Sequence, residues 1–164
     1  MFSPYKLSLV KDGLYEFTTD RQVVYHLYFG DGKSYFQDYP EFSDDVLTFG
    51  FDRIKISDHK SSDIRVRITI TDVFTSLIIG NQDRVLFFVC DSADQRGAAR
   101  MRMFEYWYRS QKCNYLEKYN ESIHTPDMDI HCSIILHSNN TLKNYIISCF
   151  RQLSKATAEK LKSY

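Results

Sequence analysis

The chain has 164 residues, 43% hydrophobic and 26% charged, enough for one folded domain whose core needs neither disulfides nor metal. Lys+Arg and Asp+Glu both number 21, so no net field draws the protein non-specifically to nucleic acid or to a membrane surface. Local basic patches are the remaining route to nucleic acid, no apolar run approaches a membrane span, and Met1–Lys6 lacks the basic start and apolar centre of a signal peptide. The expected location is therefore the cytoplasm. Cys90, Cys113, Cys132 and Cys149 show no CxxC spacing and read as reduced packing residues. The five histidines are scattered, and His131 and Cys132 would face opposite sides of a strand, so no metal or cofactor is expected.

Twelve Tyr and twelve Phe favour β-structure in the first fifty residues, because aromatics pack well on a pleated, half-buried surface. A first strand is expected within Tyr5–Val10. Tyr15, Phe17 and Thr19 alternate with polar residues, and Thr19-Asp20-Arg21-Gln22 supplies a turn. Val23–Phe29 continues the meander, Gly30-Asp31-Gly32 predicts a hairpin, and Ser34–Tyr39 predicts a short strand stopped by Pro40. Val46–Ile56 follows with Leu47, Phe49 and Phe51 on one face. Asp58–Asp63 is the clearest loop.

Residues 64–79 fit two patterns. Ile64, Val66, Ile68 and Ile70 alternate as in a strand, whereas Val66, Ile70, Val73, Phe74 and Leu77 share a helical face. The helix is preferred, since Gly80-Asn81 makes a good stop and leads directly to the next strand. Val85–Cys90 is continuously apolar, as in a strand buried on both faces. A helix is expected from Ala93 to about Gln111, then strands at Tyr115–Ile123 and Ile130–His137. Asn140 or Thr141 caps a last helix carrying Leu142, Tyr145, Ile146, Cys149, Phe150 and Leu153. Its polar tail, about 155–164, is expected to fray.

The junction at Cys90–Trp107 carries the most information. Ser92 followed by Gln95 reads as a capping box, and Asp94 lies where the helix dipole favours negative charge. Steps of about 100° per residue gather Gly97, Met101, Phe104 and Tyr108, extended by Ala99, Met103, Tyr106 and Trp107, into one apolar arc. Ala98, Arg102, Glu105 and Arg109 form the solvated face. Arg96 and Arg100 fall inside the arc, where a guanidinium is costly without a fixed anion. Two accounts stand side by side. One is an internal network with Asp91, Asp94 or a sheet acid such as Asp52; the other is an anion site built from both arginines and backbone N–H groups. Basic and aromatic residues also interleave at Arg65–Arg67 and Arg96–Lys112, a nucleic-acid surface only if both segments face one way.

No catalytic residue emerges. Asp91 and Asp94 could hold a divalent metal only if further acids converged on them. Ser92 lacks a glycine-flanked elbow and a base. Walker-type, dinucleotide and deaminase patterns do not occur.

Tyr15-Glu16-Phe17 with Thr19-Asp20, Val23-Val24-Tyr25, and above all Cys90-Asp91-Ser92-x-Asp94-x-Arg96-x-x-x-Arg100 with Phe104 and Trp107 resemble a family of short bacterial proteins of uncharacterised function. The resemblance covers most of the chain and implies a single-domain cytosolic bacterial protein, with no activity to carry over. The expected architecture is α+β over 1–164: an N-terminal antiparallel meander, then β/α elements with about three helices on one face of the sheet. The expected function is a non-catalytic binding or interaction module, regulatory or antitoxin-like, with a protein partner or homodimer. The alternative is an anion- or nucleic-acid-directed protein, such as a nuclease, using Arg96, Arg100, Asp91 and Asp94.

Overall fold

The computed structural model describes residues 2–55, 63–91, 95–111 and 113–162, with Asp91 described for its backbone alone. Seven strands form one sheet: β1 (Ser8–Lys11), β2 (Leu14–Thr18), β3 (Val24–Asp31), β4 (Val46–Lys55), β5 (Val85–Asp91), β6 (Leu116–His124) and β7 (Asp129–His137). Their spatial order is β1-β2-β3-β4-β5-β7-β6. Every neighbouring pair is antiparallel except β4 and β5. The fold is therefore α+β with an N-terminal meander, as the alternation of aromatic and polar residues predicted.

The first hairpin turns at Asp12-Gly13, where Gly13 has φ +72. A Cβ there would lie 2.5 Å from the Phe29 carbonyl oxygen, so this turn requires glycine. The turn at 19–22 closes through Thr19 N–H to the Val23 carbonyl and Gln22 N–H to the Thr19 carbonyl, each at 2.9 Å.

Ser34–Tyr39 is not a strand. Lys33–Phe36 is a 3-10 helix, and Ser43–Asp45 is another. Phe36, Tyr39 and Phe42 recur every third residue, the period of a 3-10 turn rather than of a strand, and Phe36 and Phe42 are buried. The Asp31 carboxylate accepts from Lys33 N–H at 2.8 Å and starts the turn. β3 pairs instead with β4, so the connection between them is a packed loop rather than a strand.

Helix α1 (Ile64–Gly80) settles the ambiguous stretch in favour of the helix. The Asp63 side chain caps it by accepting from Arg65 N–H at 2.9 Å. Val66, Ile70, Phe74 and Ile78 are buried on one side. α2 (Gly97–Ser110) links β5 to β6, and α3 (Lys143–Lys162) follows β7. Asn140 accepts from Leu142 N–H at 2.9 Å at the turn that leads into α3. α3 carries the polar residues from Lys155 onward as helix through Lys162.

The three helices do not share one face. Leu27, Phe49, Leu86, Phe88 and Ile135 pack with Val66, Ile70 and Phe74 of α1 and Phe104 of α2. Their alternate neighbours Val46, Val85, Phe87, Ile134 and Leu136 pack with Phe36, Phe42 and with Ile146, Ile147 and Phe150 of α3 on the other face. The crossovers β4–α1–β5 and β5–α2–β6 advance across the sheet in one direction, and right-handed crossovers of that kind place their helices on the same side. α3 hangs from the end of β7 under no such constraint and covers the apolar residues left on the second face.

Candidate ligand-binding cleft

The one parallel pair is short. Val46, Leu47 and Thr48 of β4 pair with Val85, Leu86 and Phe87 of β5, and the pairing stops there. Beyond it β4 stays with β3 as far as Lys55, while β5 stays with β7 as far as Asp91. The sheet therefore splits at the carboxyl ends of its parallel strands, a place where α/β sheets commonly hold ligands. Val89 marks the split: it is 43% exposed in a strand whose other core residues, Val85–Phe88 and Cys90, are buried.

Two cavities open into the split, one on each side of the sheet. The α2 side holds about 460 Å³, lined by Phe51, Asp52, Arg53, Arg96, Arg100 and Trp107 together with Tyr25, Phe88, Ala99 and Met103. The opposite side holds about 760 Å³, with Tyr28, Asp31, Ser34, Tyr35, Thr48, Gly50, Phe87 and Val89 in its wall. Phe51, Asp52, Phe88 and Arg100 line both. These volumes fall in the range of small-molecule sites.

Each wall has a local cause. Trp107 packs 5.2 Å from Phe51, and Phe104 packs 4.6 Å from Phe88, so α2 is held against the split by aromatic contacts. Glu105 on the same helix forms ion pairs with Lys118 of β6 at 2.5 Å and Arg109 at 2.9 Å. On the opposite side, Tyr28 of β3 faces Gly50 of β4 across the ladder. A Cβ on Gly50 would collide with the Tyr28 ring, so the ring lies directly over the glycine backbone. Burial first and Asp52 second push the Tyr28 phenol up to about 12 against the opposing pull of Arg100, which leaves a neutral hydroxyl. Tyr35 packs 5.0 Å from Phe87.

Of the residues singled out by sequence, Arg100 is half-buried and belongs to both cavities, whereas Arg96 is exposed at the mouth of one. Arg96 is thus not inside an apolar arc. α2 begins at Gly97, four residues later than Ala93, because Gln95 sits at φ 60 and Arg96 is the N-cap, its carbonyl accepting from Arg100 N–H. Both arginines make further interactions within the chain. Asp91 ends β5; its side chain, and Ser92 and Asp94 with the predicted capping box, lie outside the described residues. Glu105, expected on the solvated face, is half-buried against Lys118, while Tyr106, expected in the apolar arc, is exposed. Of the α1 arginines, Arg67 reaches α2 and Arg65 turns to the N-terminal segment. Arg65 lies 3.9 Å over the Tyr5 ring and pairs with Asp20 at 2.8 Å, and Arg67 reaches the Tyr106 hydroxyl at 3.4 Å.

Sequence reading missed Arg53, Tyr28 and Tyr35. The isolated Gly50 inside a strand pattern signals close approach and could have flagged Tyr28 as its cover. Arg53 carries no such signal, because its partners come from an element over forty residues away. Among the described residues no group of three or more His, Cys, Asp or Glu side chains could hold a metal ion, and no helix is long and apolar enough to cross a membrane.

Fold and cleft together define an α+β protein whose sheet splits to open a cleft. The chain belongs to DUF6169, a family of unknown function, whose match spans residues 62–152 and includes β5 and α2 but not the β3 and β4 wall. No curated protein and no solved structure matches it.

Proposed function

We propose that the chain is a non-catalytic binding module that takes a small organic anion in the α2-side cavity. The observation that carries this reading is the convergence of Arg53 from β4 with Arg96 and Arg100 from the start of α2, against Asp52 as the lone acid among the lining residues described. Guanidinium forks match carboxylate and phosphate geometry, and five donors on each let one arginine serve an internal acid and a ligand together. Trp107, Phe51 and Tyr25 supply flat apolar walls for the rest of the molecule. A binding role needs no catalytic group, in keeping with the lack of a recognisable nucleophile motif in the sequence.

Titration calorimetry with 4-nitrophenyl phosphate tests the reading, since this probe joins an aromatic ring to a phosphate. The intact protein binds it, and Arg53→Gln combined with Arg96→Gln, both at exposed positions, weakens binding at least tenfold with an unchanged melting temperature. Absence of binding at millimolar probe, or equal binding by the double variant, removes the proposal.

A further inference from the structure

We propose that the ligand is a nucleoside monophosphate whose base carries an exocyclic amino group, with the phosphate on the arginine side and the base on the Tyr28 and Tyr35 side. This rests on the anion reading above and extends it through the sheet. The two cavities share Phe51, Asp52, Phe88 and Arg100, so one ligand can occupy both through the gap between β4 and β5.

The two sides differ in chemistry. Asp52 and Arg100 are common to both, but Arg53 and Arg96 line only the α2 side, whereas Asp31, Ser34 and Thr48 give the other side a further carboxylate and hydroxyls. Carboxylates accept hydrogen bonds and repel phosphate, so an anion belongs at one end and a donor-bearing group at the other. Tyr28 and Tyr35 border the second side, and both are exposed, Tyr35 at 50%. Tyr28 is seated on the Gly50 backbone with Asp52 beside its hydroxyl, and Tyr35 rests on Phe87, so each ring is supported from behind. Supported aromatic rings are stacking platforms for a flat heterocycle. A ring with an exocyclic amino donor and a phosphate on its sugar satisfies both ends. A longer nucleic-acid strand fits less well: the chain has no net charge, and acids line the side through which a continuing phosphate backbone would run.

The sole tryptophan, Trp107, walls the phosphate side and reports occupancy by its fluorescence. Wild-type protein is titrated with AMP, IMP, adenosine and inorganic phosphate. AMP binds at least tenfold more tightly than adenosine or phosphate, and several-fold more tightly than IMP, whose 6-oxo group would face a carboxylate. Tyr28→Ala and Tyr35→Ala each weaken AMP at least fivefold while 4-nitrophenyl phosphate binding stays within twofold; Asp31→Asn narrows the AMP-to-IMP ratio. Tyr35→Ala, at an exposed position, keeps the test intact if Tyr28→Ala lowers folding. AMP no tighter than phosphate, or AMP binding indifferent to both tyrosines, overturns the nucleotide assignment. Retained, arginine-dependent 4-nitrophenyl phosphate binding in that case leaves the anion reading standing, and its loss removes both.

Discussion

Lys118 of β6 and Glu105 of α2 form a 2.5 Å ion pair in which the lysine side chain is only 1% exposed. Asn120 also receives the ammonium, and Asn120 in turn accepts from Ser133 Oγ at 2.8 Å. Burial lowers the Lys118 pKa although Glu105 opposes the change. The pair pins α2 to the edge strand β6 and so holds Arg96, Arg100 and Trp107 over the split. Removing one partner strands a charge: Glu105→Ala should cost about 2–4 kcal/mol, somewhat less than the ~3–5 kcal/mol of a fully buried pair because Glu105 is partly exposed. Glu105→Leu with Lys118→Met should recover most of that loss. Urea unfolding of both variants decides, and a double variant as unstable as the single one contradicts the stranded-charge account.

Acid should weaken the fold through Glu105 and Glu117. Burial alone would raise both carboxyls, but Lys118 on Glu105, and Tyr119 with Lys143 on Glu117, hold them below the ordinary 4.5. The folded chain then binds fewer protons than the unfolded one near that pH. The stability they contribute is complete above 4.5 and is lost as pH falls through the lower folded values. Unfolding free energy measured from pH 7 to pH 3 should show this decline, and Glu105→Gln should flatten part of it.

Alkali should act with the opposite sign through two phenols. Tyr28, raised by burial and Asp52, and Tyr119, raised by Glu117 and burial, both move from 10.0 to about 12. The folded chain retains protons that the unfolded chain has lost, so this contribution is complete below 10 and disappears as pH rises through about 12. Absorbance at 295 nm should show two late-titrating tyrosines fewer in a Tyr28→Phe, Tyr119→Phe variant.

Two glycines should respond in opposite directions to alanine. Gly80 ends α1 at negative φ with open space around its Cα, so Gly80→Ala should stabilise by about 0.4–1 kcal/mol. Gly13→Ala forces a side chain into φ +72 and against the Phe29 carbonyl, and should cost more than about 1 kcal/mol. Thermal melts of the two variants should shift to opposite sides of the wild type.

The thiols should react unequally. None of the four cysteines is in a disulfide; Cys90, Cys132 and Cys149 are buried and Cys113 is half-buried. Burial pushes the Cys132 thiol up to about 11 and also raises Cys149. With Ellman's reagent at pH 8 the native protein should show one fast thiol, and Cys113→Ser should abolish it.

Elements with a clean period were legible from residues alone. Phe17 and Phe49 occupy the core that their alternation implied, Phe88 the core that its continuous apolar run implied, and Val66, Ile70 and Phe74 gave α1 its face. Ser34–Tyr39 misled because Gly30-Asp31-Gly32 resembles a hairpin turn, while Phe36, Tyr39 and Phe42 carry a period of three that a strand search overlooks. Arg100, marked in the sequence as an arginine among apolar residues, is half-buried and lines both cavities. Arg96 was misplaced because the helical wheel ran through Gln95, whose positive φ breaks the helix before Gly97.

Sequence by itself determined the α+β class, the aromatic meander, the strand buried at Val85–Phe88 and the helices at α1 and α3, since each follows from local periodicity and capping. Tertiary structure alone decided which face each helix covers and where the sheet comes apart. Those depend on strand order: the parallel pair ends at Thr48 and Phe87 because β3 and β7 draw the two strands in different directions. Tyr28 of β3, Gly50 and Arg53 of β4, and Arg96 and Arg100 at the start of α2 come from three separate parts of the chain, and the tertiary structure brings them to the split.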